Sequence, residues 1–327
     1  MFTFNDIEKN ITILIPSKVI DKNLKNCVAK IRKFYKKIKI LLVLDTNSKF
    51  KFDKNVIILT SGPKTIGYKR NLAIKYVDTK YICFIDSDAY PKNAWLNKSL
   101  KLLNQKNIGA IGGPNLSPKT KDIEKILVAR SRRNSIVTLN PKVKSDKTKE
   151  HIISFLPSCN LIVKKNLFKK IKGMDNRLYS GEEISLNYNI KKLGYKMKFS
   201  PSIKVYHIDR NFKHFARQRF IYGSTGLWYA LNYPCKESFL LLISSFPILF
   251  LLSFPVIFIN NALKLSFFFG IIVLMNLLIL NSIKINFKNN FLKSLKLSII
   301  SIFFPGLGLL ARNFLSNKRF QKLYTQM

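Results

Sequence analysis

Cysteine is scarce and scattered in this chain. The four cysteines, Cys27, Cys83, Cys159 and Cys235, lie far apart, with no C-x-x-C pair among them. That spacing excludes a disulfide framework and a four-cysteine zinc site, and it fits a reduced, cytoplasmic compartment. Acidic residues are also few: 17 Asp and Glu stand against 57 Lys and Arg, for a net charge of +40. The positive charge is mostly Lys and is dispersed rather than blocked. No helix-turn-helix or RNA-binding signature accompanies it, so a membrane-anchored basic nucleic-acid-binding protein is a remote alternative. Dispersed Lys does attract an anionic membrane leaflet and phosphorylated ligands. The N-terminus, Met1-Phe2-Thr3-Phe4-Asn5-Asp6, lacks the basic-then-apolar pattern of a signal peptide. Long uncharged apolar runs are missing from the first 230 residues and crowd the last ninety.

What is present centres on Tyr81-Ile82-Cys83-Phe84-Ile85-Asp86-Ser87-Asp88. The apolar run predicts a strand buried on both faces of a mostly parallel sheet. Asp86 and Asp88 then fall at its carboxyl end, where open α/β sheets bind ligands. In extended chain, residues i and i+2 point the same way, so both carboxylates reach one point. Two acids that close repel unless a cation or a proton lies between them. Mg²⁺ or Mn²⁺ is the natural partner, since hard divalent ions take oxygen ligands and commonly bind substrate phosphates as well. The alternative is a solvated Asp-Ser-Asp turn.

Around this strand, apolar β-rich runs at 11–16, 40–44, 56–59, 108–111, 158–163, 196–199 and 203–207 alternate with helical spacings at 21–37, 66–77, 93–103, 165–171 and 182–193. Such alternation predicts an α/β layer fold with a mixed, mostly parallel sheet over residues 1–230. The polar, Lys-rich stretch 115–150 is poorly periodic and is expected to be a long mobile loop. Residues 211–231 form a basic, aromatic amphipathic segment suited to a membrane interface. The region 237–327 changes class. Residues 238–263 carry no charge over 26 positions and residues 265–283 none over 19, and each run is long enough to cross about 30 Å of hydrocarbon. A third run, 297–311, is 15 residues long and contains Pro305-Gly306-Leu307-Gly308; it is either a short span or a re-entrant or interfacial segment. Lys284, Lys288, Lys293 and Lys296 place the loop 284–296 on the cytoplasmic side. The expected protein is multi-pass in the plasma (inner) membrane, in contact with lipid, with its soluble part in the cytoplasm; its oligomeric state is open.

Taken in order, several segments resemble the family-2 glycosyltransferases. They are Ile13-Leu14-Ile15-Pro16, Val43-Leu44-Asp45, Gly67-Tyr68-Lys69-Arg70-Asn71, Phe84-Ile85-Asp86-Ser87-Asp88 with Pro91 and Trp95-Leu96 behind it, Ile111-Gly112-Gly113-Pro114, Ser158-Cys159-Asn160 and Gly173-Met174-Asp175. The resemblance covers roughly residues 11–225. It implies a GT-A nucleotide-diphospho-sugar transferase fold, Rossmann-like, followed here by C-terminal transmembrane helices. It implies a hexosyltransferase-type enzyme (EC 2.4) that moves a sugar from a nucleotide-diphosphate sugar, with inversion, onto a lipid-linked or cell-surface glycan acceptor. A polyprenyl-phosphate acceptor giving a sugar-phosphate product is the alternative.

The resemblance also assigns expected roles. Asp88, Asp86 and His207 would hold Mg²⁺ or Mn²⁺. Pro16, Asp45, Arg70 and Asp86 would contact the nucleotide sugar. Arg70 pairs with phosphate, orients Asp86 or serves only as a salt bridge, and Asp45 either contacts nucleotide or caps a helix or turn. Gln218 and Arg219 lie in a segment similar to one that closes over the diphosphate or acceptor; the alternative for the segment is an interfacial helix that snorkels Arg to headgroups. The family's base motif is usually Glu-Asp, and here it reads Glu182-Glu183, so either carboxylate is a candidate base. Both open a helix, whose N-terminus is expected to keep a carboxylate ionised. The first strand departs from the family pattern, with Ser17-Lys18 after Pro16.

Overall fold

A computed structural model describes residues 3–133, 149–177 and 179–315. The first half runs α1 (Phe4–Asn10), β1 (Ile11–Pro16), α2 (Lys22–Phe34), β2 (Lys39–Leu44), β3 (Val56–Thr60), α3 (Ile66–Ala73), β4 (Tyr81–Ile85), β5 (Ala89–Pro91), α4 (Ser99–Leu103), β6 (Ile108–Gly112), β7 (Asn115–Leu116) and α5 (Ile123–Arg132). It continues with β8 (His151–Ile153), β9 (Asn160–Lys164), α6 (Lys165–Lys170), α7 (Glu182–Lys192), β10 (Lys196–Phe199), β11 (Val205–His207), α8 (Phe212–Asn232), α9 (Lys236–Ile243), α10 (Phe246–Leu252), α11 (Asn261–Ile285) and α12 (Phe291–Phe314). Among the described residues, one compact unit comprises 3–118 and 149–208, and a second comprises 119–133 and 209–315.

The first unit is built on an eight-stranded sheet of order β3-β2-β1-β4-β9-β6-β10-β8. β1 runs parallel to both β2 and β4. β9 is antiparallel to β4 and β6, and β8 is antiparallel to β10. The apolar runs are continuous because both faces are covered. Ile13, Ile15, Ile40, Leu42, Cys83 and Ile85 pack on one face with Leu24 and Ile31 of α2. Leu14, Leu41, Val43, Ile82 and Phe84 pack on the other with Phe168 of α6 and Leu186 and Ile190 of α7. Each such side chain, fully buried, stabilises the fold by about 1.5–3 kcal/mol before the entropy of ordering is counted.

A second sheet, β5-β11-β7, is formed from the chain just beyond the carboxyl ends of β4 and β6. Gly112 and Gly113 allow this crossing. A side chain on Gly113 would collide with the carbonyl oxygens of Ser200 and Ile203.

The second unit is helical and corrects two expectations. Residues 115–150 do not form one irregular loop, since they contain β7 and α5; residues 134–148 lie outside the described residues. α5 forms because the Asp122 carboxylate accepts from the amides of Glu124 and Lys125, and because Leu127 and Val128 bury against Phe212, Phe215, Leu297 and Ile300. The run 238–263 is not one span. It divides into α9, α10 and a short 3₁₀ turn, Phe254–Phe258. Pro247 and Pro255 stand at the first turns of the latter two, where their missing N–H groups start new helices and cannot continue old ones.

Among the described residues, two helices are long and apolar enough to cross a membrane: α11, with mean hydropathy 2.3, and α12, with 1.7. The run 297–311 is absorbed into the second. Phe268, Phe269, Ile272, Leu280 and Ile283 of α11 are exposed large apolar side chains. This greasy belt suits hydrocarbon rather than water, and it indicates membrane association. Against α12, α8 crosses closely. A side chain on Gly223 would meet the Pro305 carbonyl, and one on Gly308 the Phe220 carbonyl.

Candidate active site

The parallel strands deliver their carboxyl ends to one edge, and the site is assembled there. Pro16 ends β1, Asp45 follows β2, and Asp86 follows β4. β9 enters this edge from the opposite direction, so Ser158 and Cys159 precede it at the same place. The small sheet supplies the histidine. In the antiparallel pairing of β11 with β5, His207 lies opposite Ala89, the neighbour of Asp88. The Ile208 amide also donates to the Asp88 carbonyl at 3.0 Å. The His207 Nε2 atom is thereby held 3.3 Å from an Asp88 carboxylate oxygen and 3.7 Å from one of Asp86. Two carboxylates and an imidazole thus converge, as expected for Asp86, Asp88 and His207. Their oxygen and nitrogen donors fit a divalent ion.

Arg70 organises the back of this cluster. It is buried, at 1% exposure. Its guanidinium donates to Asp86 at 2.8 Å, to Glu182 at 2.5 Å and to the Ser158 hydroxyl at 2.9 Å, and it stacks on the Phe84 ring at 5.5 Å. A planar fork suits several acceptors at once. These contacts fit both orientation of Asp86 and a salt bridge with no further role. Thr65 caps α3, its side chain accepting from the Tyr68 amide. One step along α3, Asn71 clamps the Gly173-Met174 turn. Its amide donates to the Met174 carbonyl at 2.8 Å and accepts from the Met174 amide at 2.9 Å. Gly173 has φ +78° and no room for a side chain beside Asn71, so the turn demands glycine.

That turn leads to the acidic pair. Gly181, with φ +81°, reverses the chain so that α7 opens on Glu182 and Glu183. Glu182 is buried against Arg70, whereas Glu183 is half-buried and, among the described residues, forms no ion pair. The expectation that the helix end keeps these groups ionised needs correction. Burial raises the Glu182 pKa, although Arg70 opposes the rise. Burial, reinforced by the neighbouring Glu182 charge, pushes Glu183 up to about 8. Desolvation outweighs the helix dipole here.

Asp45 has a partner that sequence reasoning missed. Buried Lys69 forms an ion pair with Asp45 and donates to the Ser17 carbonyl at 2.5 Å. It ties the turn after Pro16 to the end of β2. Lys69 lies beside Arg70 in the Gly-Tyr-Lys-Arg-Asn segment, but in sequence it is one lysine among 46. Cys159 was also missed as a donor; its sulfur, an Asp86 oxygen and a His207 nitrogen all lie within 4.8 Å of one another. Gln218 and Arg219 belong to α8 in the second unit. There the Gln218 amide donates to the Tyr222 hydroxyl at 3.3 Å, and the buried Arg219 guanidinium donates to the Ser301 carbonyl at 3.3 Å.

Residues 12–172 match the family model "Glycosyl transferase family 2". The chain carries a family 2 glycosyltransferase domain. It is 20% identical over 178 residues to the pre-mycofactocin glycosyltransferase of two Mycobacterium tuberculosis strains, a match spanning 52% of this chain and 36% of the relatives. The chain thus spans about a third of the length of the curated relatives it matches. The solved structure of the mannosyltransferase PcManGT from Pyrobaculum calidifontis, in complex with GDP-Man and Mn²⁺, aligns with TM-score 0.59 at 10% identity, over 93% of this chain and 87% of that one. The two share the GT-A glycosyltransferase fold. The carboxyl-end cluster of the glycosyltransferase domain therefore occupies the edge at which such sheets bind ligands.

Proposed function

We propose that the protein transfers a sugar from a nucleotide-diphosphate sugar, with inversion and with a divalent ion, to a lipid-linked or cell-surface glycan at the inner face of the plasma membrane. The observation that carries this reading is the convergence of Asp86, Asp88 and His207 at the end of β4, backed by the Arg70–Glu182 pair. Asp88 and His207 would hold the ion, which would supply positive charge to a departing diphosphate. Asp86, beside Arg70, would reach the ion or the ribose. Pro16 and Asp45, tied together through Lys69, line the nucleotide end.

Glu183 is the general base. It takes the proton of the acceptor hydroxyl as that oxygen attacks on the face opposite the diphosphate, which inverts the anomeric centre. A carboxylate with proton affinity raised towards neutral pH is a better base than an ordinary glutamate. Glu182, spent on Arg70, positions it. Gln218 is a candidate contact for the diphosphate or acceptor in this reading, while Arg219 fastens α8 to α12.

Two features support a lipid acceptor. One is the exposed apolar belt of α11. The other is a cavity of about 790 Å³ in the helical unit, lined by Phe212, Leu295, Ile299 and Phe304 with Lys213 and Lys296 among them. Apolar walls with cations suit a lipid tail and a phosphate.

The test uses membranes containing the protein, a panel of UDP-, GDP- and dTDP-sugars, and Mn²⁺ or Mg²⁺ added or chelated. Metal-dependent incorporation of one sugar into a lipid extract, lost in Asp88→Ala, supports the reading. Labelled sugar that stays water-soluble with every donor overturns the lipid acceptor. Lability of the product to mild acid and alkali would identify a sugar-phosphate bond, the polyprenyl-phosphate alternative.

A further inference from the structure

The ion site holds a sulfur that neither the motif reading nor the fold requires. The registered pairing of β4 with β9 sets Ile85 against Asn160. Continued by one residue, an antiparallel register sets Asp86 against Cys159. Cys159 is buried at 8% exposure and His207 at 4%. One ligand atom from each of Asp86, Cys159 and His207 falls within a 4.8 Å span, and Asp88 joins through His207 at 3.3 Å. The cluster therefore offers carboxylate, imidazole and thiol to one point. Carboxylates alone favour hard ions such as Mg²⁺, which dehydrate reluctantly, whereas thiolate favours borderline ions such as Zn²⁺ and Co²⁺.

We propose that Cys159 is a thiolate ligand of this divalent site, so that the site takes Zn²⁺ and Co²⁺ in preference to Mg²⁺. The inference rests on the reading that the Asp86–Asp88 edge binds an ion. On binding, the Cys159 S–H bond breaks, a sulfur–metal bond forms from the same electron pair, and one proton leaves to the buffer. No oxidant or reductant takes part. Zinc would then compete with the working ion, and the softer partner would set which metal resides in the site.

The experiment is titration of the full chain in detergent with Co²⁺, read by near-ultraviolet absorption, where thiolate-to-cobalt charge transfer gives a band that oxygen and nitrogen ligands do not. The proposal expects the band in the wild type and its persistence in Cys27→Ser and Cys235→Ser. In Cys159→Ser it expects loss of the band and at least about a tenfold weaker Co²⁺ affinity, with folding checked by thermal unfolding. Cobalt binding without the band, or a band that survives Cys159→Ser, overturns the proposal. The donor panel with Mn²⁺ is run in parallel. Sugar transfer without a thiolate band leaves the transferase reading standing and sinks the cysteine ligand. A Cys159-dependent band without transfer from any donor does the reverse.

Discussion

The glycosyltransferase unit and the α11–α12 contact use polar groups in opposite ways. In the glycosyltransferase unit, charge is buried and compensated: Arg70 is shared among Asp86, Glu182 and Ser158, and Lys69 is set against Asp45 and a carbonyl. In the helical unit, the buried charges Asp209, Arg219 and Glu237 lie outside the α11–α12 contact, where buried polarity is neutral and small. Asn281 of α11 donates to the Ser298 hydroxyl of α12 at 2.8 Å, and Ser282 donates to the same oxygen at 2.9 Å. Glycines in the helical unit bring backbones into contact. Under the proposed function, the difference follows from what each unit does. A site that handles a diphosphate and a metal needs fixed charges at one sheet edge. Helices suited to hydrocarbon gain little from apolar contact with each other, so close packing and small hydroxyls hold them.

The comparison breaks first at the site. Glu183→Gln keeps the shape of α7 but removes the proposed proton acceptor, and turnover should fall about 10²–10⁴-fold in the donor assay. Since the reactive form is ionised, the wild-type rate should climb as pH rises towards the Glu183 value of about 8. The stability sign runs the other way. A carboxyl whose pKa is raised by folding contributes stability at low pH and loses it as pH climbs from about 4.5 through about 8. Glu183→Gln should therefore melt higher than wild type above that range, while being nearly inactive.

Arg70→Met should come next. It leaves Glu182 and Asp86 without their counter-ion, and losing one partner of a buried pair costs about 3–5 kcal/mol. Thermal unfolding in detergent would show it; an unchanged melting point would mean that the network is not what holds α3 to α7. In the other unit, Gly223→Val forces α8 off α12 and should cost about 1–3 kcal/mol as overpacking, with the same readout. The smallest effect is expected at Ser298→Ala, about 0.6 kcal/mol, the mean for such hydrogen bonds between membrane helices. A larger loss from Ser298→Ala than from Arg70→Met would invert the contrast between the units.

Much of the glycosyltransferase unit was legible in the chain. Strands such as 11–16 and 81–85 are written as unbroken apolar runs because both of their faces are covered. Asp86 and Asp88 stand out as two acids one residue apart where such a run stops. What the sequence concealed depends on distant pairing. Arg70 meets Ser158 across 88 positions and Glu182 across 112, and no local pattern reveals that. Cys159 reaches the site through the β4–β9 register, and the proximity of His207 to Asp88 needs the three-stranded sheet, whose strands are two or three residues long. The helical unit failed differently. Absence of charge over 238–263 describes solvent preference, and it outweighed Pro247 and Pro255, which divide the run. In 115–150, Lys-rich composition masked α5, whose buried face is only Leu127, Val128 and Ser131.

The most direct test of the central claim, that the β4 edge with Asp88 and His207 is a metal-dependent donor site, is calorimetric binding of UDP, GDP and dTDP to the purified chain, with and without Mn²⁺, in wild type and Asp88→Ala. The account predicts that one of the three diphosphates binds, that Mn²⁺ tightens its binding, and that Asp88→Ala abolishes the metal's effect. Binding that is equal with and without metal and unchanged in Asp88→Ala, or no binding of any of the three, would contradict it.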